Sequence, residues 1–90
     1  MADEDPITAL ALAAGRGDRA ALDRFIRATE RDVWRTVAFL ADPGSADDLT
    51  QEVFIKIHRH IDTFREDSQL FTWIYRIATN ECLTFLDKKK

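Results

Sequence analysis

Ninety residues, 46% hydrophobic and 32% charged with three glycines and two prolines, suit one compact helical domain and exclude a disordered chain. A net charge of -3 argues against a nonspecific nucleic-acid coat protein, and no apolar run approaches the ~20 residues needed to cross a bilayer. The start MADEDP has neither the basic nor the apolar stretch of a signal peptide, so a cytoplasmic location is expected; the single Cys82 rules out an internal disulfide framework.

Caps and periodicity predict four helices and no strand. Asp5 followed by Pro6 starts the first, which runs through ITALALAA to Gly15. GRGD is a linker, and Asp18 caps a second helix whose Leu22, Phe25, Ile26, Val33, Val37 and Leu40 recur at spacings of three and four and are expected in the core. Pro43 and Gly44 end it, and Ser45 is expected to cap the third helix, which carries acids in its first turn. DTFRED is the next loop, and Ser68 is expected to cap a fourth helix reaching about Leu86. The fold class is all-α, a small four-helix bundle forming one domain over residues 1–90.

Charge and composition are uneven along the chain. Residues 1–55 hold six arginines against eleven acids, whereas residues 56–90 hold seven basic residues against five acids, so the two halves are suited to different partners. Eleven alanines fall in residues 1–46 and one in residues 47–90, while lysine first occurs at position 56, a pattern expected if two related sequences of different base composition were joined.

On the third helix Leu49, Val53, Ile57 and Ile61 line up toward a core, with Thr50 and Phe54 beside them. Asp48, Gln51, Glu52, Ile55 and Arg59 form a stripe on the opposite side. It is either a solvated face with a stray isoleucine or a docking surface for a basic helical partner. On the fourth helix Leu70, Ile74, Ile77, Ala78 and Phe85 face inward with Phe71 at the margin, and Cys82 is expected as a small core residue. Trp73, Arg76 and Asn80 lie on a separate flank, where Trp73 either covers a bundle edge or offers its ring to a ligand. An aromatic ring, a guanidinium and an amide within two turns are the groups that meet the face, phosphate and edge of an unpaired nucleotide. His58 and His60 point about 160° apart on a helix and cannot share a metal. No phosphate loop, activated nucleophile or carboxylate pair is evident, so neither an enzyme nor a cofactor is expected.

The run ADDLTQEVFIKIHRHIDTFREDSQLFTWIYRIATN resembles conserved region 2 of bacterial sigma factors, in particular the extracytoplasmic-function group. The resemblance covers essentially the whole chain: residues 5–41 are similar to regions 1.2 and 2.1, 45–61 to region 2.2, and 62–87 to regions 2.3 and 2.4. It implies a transcription initiation factor domain that docks on the coiled coil of the beta-prime subunit of the RNA polymerase core through Asp48, Gln51 and Glu52, which belong to the same stripe as Ile55, so Ile55 is expected in that contact too. It also implies recognition of the single-stranded minus-ten promoter element, with Trp73 at the edge of the opened duplex. Phe64, Arg65, Asp67, Ser68 and Asn80 would surround an extruded base, and Arg76 would meet phosphate. An anti-sigma protein is an expected further partner. Region 4 of such factors has no counterpart before Lys90, as expected of an excised domain or truncated relative, and Asp87 stands where relatives are often basic, which weakens the expected hold on DNA. The alternative is a helical protein-interaction module that never touches nucleic acid.

Overall fold

The computed structural model describes residues 5–64 and 69–88. Four helices follow in order, α1 (Pro6–Gly15), α2 (Arg19–Leu40), α3 (Ala46–His60) and α4 (Leu70–Lys88), with 3-10 turns at Pro43–Ser45 and Ile61–Thr63. There is no strand among the described residues.

Local chemistry sets the helix ends. The Asp5 carboxylate accepts from the Thr8 N–H at 3.3 Å, and Pro6 supplies the fixed φ and missing donor that suit a first helical position. At the far end of α1 the Arg16 N–H donates to Leu12 and Ala13, and Gly17 takes a φ of 99°, which an L side chain rarely adopts. Asp18 then accepts from the Ala21 N–H at 3.0 Å and starts α2. Between α2 and α3 the sequence expectation is corrected. Ser45 makes no side-chain cap; Asp42 accepts from the Ser45 N–H at 2.9 Å and closes a 3-10 turn that leads directly into Ala46. The proline fixes φ where the turn begins, so capping shifts to the residue before it. The expected cap at Ser68 lies outside the described residues.

α1 folds back on α2 and touches the Ile61–Thr63 turn, and α2, α3 and α4 pack on one another. Gly15 permits the first of these contacts: a Cβ there would lie 2.9 Å from the Ile61 carbonyl oxygen. The core joins Phe25, Val33 and Val37 of α2 to Leu49, Val53 and Ile57 of α3 and to Leu70, Ile74, Ala78 and Cys82 of α4. α2 departs from its predicted stripe at three positions. Leu40 is exposed, because α2 ends there and the chain turns away, while Ala21 and Thr29 join the buried side. The Thr29 hydroxyl is tolerated because it donates to the Phe25 carbonyl at 2.9 Å. In a thin bundle the expected apolar positions are enough to fix which side of α3 and α4 turns outward.

Candidate functional site

Two outward surfaces result. On α3, Asp48, Gln51 and Glu52 are exposed, and Ile55 between them is 47% exposed. Asp47 and Asp48 occupy the first turn, where a carboxylate also meets the positive end of the helix, while His58, Arg59 and His60 fill the last. Acidic and basic side chains thus separate along the length of the helix.

Beside this stripe a cleft of about 650 Å³ runs between α2 and α3, lined by Glu30, Arg31, Trp34, Asp47, Thr50 and Gln51. Trp34 Nε1–H donates to Asp47 Oδ1 at 2.7 Å, tying the helices together while the residue stays 37% exposed. The periodicity argument missed Trp34. Its signal was a tryptophan one position out of register with the α2 apolar stripe, set between Arg31 and Arg35.

On α4, Arg76 and Asn80 are exposed and Trp73 is partly buried. The Trp73 ring lies 5.4 Å from the ring of Phe64 at 54°, and with Gln69, Thr72 and Arg76 it lines a cleft of about 240 Å³. Asn80 lies two turns beyond, about 10 Å along the axis. Phe64, expected beside a base, is only 7% exposed and belongs to the core, so its ring braces Trp73 and offers no free face. The 3-10 turn at Ile61–Thr63 swings the chain inward, an effect that α3 periodicity cannot foretell. Arg65, Asp67 and Ser68 lie outside the described residues. Tyr75 is exposed, with its ring 5.9 Å from Phe71.

Cys82 is buried behind this surface. Burial raises its thiol above the usual range, and the adjacent Glu81 carboxylate pushes it the same way. Among the described residues no group of His, Cys, Asp and Glu side chains could hold a metal ion, and no helix is long and apolar enough to cross a membrane.

Residues 25–90 match the family described as Sigma-70 region 2. The chain is similar to the ECF RNA polymerase sigma factor SigC of Mycobacterium tuberculosis, with 51% identity over 76 residues that make up 84% of this chain and 41% of that protein. Similarity to the ECF RNA polymerase sigma-E factor of Escherichia coli K12 is 37% over 71 residues, or 79% of this chain and 37% of the relative. The chain therefore spans about two fifths of the length of the curated relatives it matches. An engineered region 2 of sigmaE, solved by NMR in complex with GTAAAA, superposes with a TM-score of 0.86 at 28% identity, covering 99% of this chain and 94% of that one.

Proposed function

The chain belongs to the Sigma-70 region 2 family, and from that premise we propose that α4 captures an unpaired promoter strand of the minus-ten type while α3 docks on the beta-prime coiled coil of RNA polymerase. The observation that carries this reading is the separation of two outward surfaces: the exposed Asp48, Gln51, Glu52 and Ile55 stripe on one helix, and the exposed Arg76 and Asn80 beside partly buried Trp73 on another. The GTAAAA complex of the engineered sigmaE region 2 supports the choice of a short single strand as ligand. Trp73, braced by Phe64, stacks on a base at low entropic cost; Arg76 meets phosphate; the Asn80 amide pairs with a base edge. On α3, Ile55 is the apolar anchor within a ring of acceptors, and the Trp34 cleft extends that surface onto α2.

Magnitudes limit the activity. One stacked base contributes about 1–3 kcal/mol, whereas each step of duplex stacking given up averages about 1.4 kcal/mol before nucleation. The domain therefore captures strands that are already open and does not melt duplex unaided. The basic groups near the flank are few, so affinity is modest and falls with salt. The activity is cytoplasmic and involves no bond-making chemistry, and an anti-sigma protein would act by covering one of the two surfaces.

The test uses equilibrium binding of a GTAAAA strand to the wild type and to Asn80→Ala, with a scrambled strand as control. Preference for GTAAAA that is lost in Asn80→Ala supports the reading. Sequence-indifferent or absent binding leaves the protein-interaction alternative. For docking, Gln51→Ala with Glu52→Ala should reduce co-purification with a beta-prime coiled-coil fragment, and unaltered recovery rejects that surface.

A further inference from the structure

α3 and α4 carry the two surfaces, and an ion pair crosses from the first helix to the second. The Lys56 ammonium lies 2.5 Å from Glu81 Oε1, a charge contact without the alignment of a hydrogen bond. The two ends are unequal: the Glu81 side chain is 12% exposed and that of Lys56 43%. Glu81 also lines a cleft of about 400 Å³ with Asp48, Glu52, Thr84 and Lys88, so its carboxylate shares a space with two acids of the α3 stripe. Desolvation and those like charges both push Glu81 outward, and Lys56 holds it in.

Leu70 and Ile74 lock the first half of α4 into the core, but around Glu81 the inner side chains are shorter. Flanking Glu81 on the inner side of α4 are Ala78 and Cys82, both fully buried and both short, with Phe85 only partly buried below them. Short side chains interlock weakly, so they oppose rotation of the helix less than an isoleucine would. Glu81 directly follows Asn80 in the chain. A rotation of about 20° moves a side-chain tip at a radius of about 5–6 Å by roughly 2 Å, several times the ~0.5 Å within which a binding group must be held.

We propose that Lys56 and Glu81 are positioning residues for strand capture: their ion pair fixes how the second half of α4 sets against α3 and so aims Asn80. This rests on the strand-capture reading above. The pair touches no nucleotide; it acts through the helix that does.

The inequality of the two ends yields a test that general destabilisation does not mimic. Lys56→Met leaves a largely desolvated carboxylate sharing its cleft with Asp48 and Glu52 and, at the exposed end, Lys88, whereas Glu81→Gln leaves a lysine free to return to water. Lys56→Met should therefore weaken GTAAAA binding roughly tenfold, the effect of a coupling of about 1.4 kcal/mol. Glu81→Gln should weaken it less, and the double variant should recover most of the loss. The single buried Cys82 supplies a second readout that needs no DNA. Its labelling by a thiol reagent in native buffer, corrected for the global unfolding measured by denaturant titration, should speed up in Lys56→Met and slow again in the double variant.

Both readouts moving together and returning together is the predicted result. Where the wild type binds the strand, either readout left unmoved by Lys56→Met, or no return in the double variant, overturns the proposal. If the wild type ignores the strand, the capture reading fails by itself, and the α4 setting stands or falls on Cys82 labelling alone.

Discussion

Phe64 and Trp73 divide one task between them. The sequence marks both as aromatic near a charged loop, and periodicity on α4 correctly puts Trp73 on a flank. It cannot assign Phe64, whose direction depends on how the 3-10 turn leaves α3. Burial gives them different predicted phenotypes. Phe64→Ala should lower unfolding free energy by about 3 kcal/mol, in line with truncation of a buried phenylalanine. Trp73→Ala should destabilise less and cost a factor of about 5–150 in strand affinity, equivalent to the 1–3 kcal/mol of one stacked base. Urea unfolding and strand binding on the same two proteins separate these outcomes. Cys82 carries a prediction in pH. Its folded-state pKa is raised, so the unfolded chain ionises first as pH climbs, and the neutral thiol's contribution is intact below the ordinary thiol range of about 8.5 and declines above it. Stability should fall through that alkaline window, and Cys82→Ala should flatten the fall relative to the wild type, as read by unfolding at several pH values.

At the level of elements, the sequence was most legible where one residue sets a helix end alone. Asp5 and Asp18 cap as their positions predict. Ser45 does not, since Asp42 two residues before Gly44 already closes the turn. Asp42→Ala should therefore cost about 1 kcal/mol while Ser45→Ala stays near neutral, in thermal or urea unfolding. Gly15 shows what a single-chain pattern hides. Helix propensity favours alanine at the end of α1, yet its Cβ would press on the Ile61 carbonyl in a turn forty-odd residues away. Gly15→Ala should be destabilising by about 1–3 kcal/mol, the usual range for overpacking, and a stabilised variant would contradict the close approach of α1 to that turn. The α2 stripe was read well at Phe25, Val33 and Val37 and poorly at Leu40 and Thr29, because exposure at a helix end and a hydroxyl satisfied by its own backbone both fall outside hydrophobic periodicity. Trp34 was missed for a related reason: its value comes from Asp47 on another helix.

For the whole molecule, the uneven charge along the chain has a spatial counterpart. The acidic first half ends in the α3 stripe, and the more basic second half carries the α4 flank. The core stripes were legible because a small bundle has only one way to bury them, whereas the pairing of Lys56 with Glu81 required three dimensions. The central claim is that α4 receives an unpaired strand on Trp73. The chain has two tryptophans, so the direct measurement uses Trp34→Phe protein, whose remaining indole fluorescence comes from Trp73 alone. Titrated with single-stranded GTAAAA, that signal should change and saturate, weaken as salt rises, and stay flat with a scrambled strand or with duplex. A Trp73 signal indifferent to GTAAAA, or responding equally to every strand, would contradict the account.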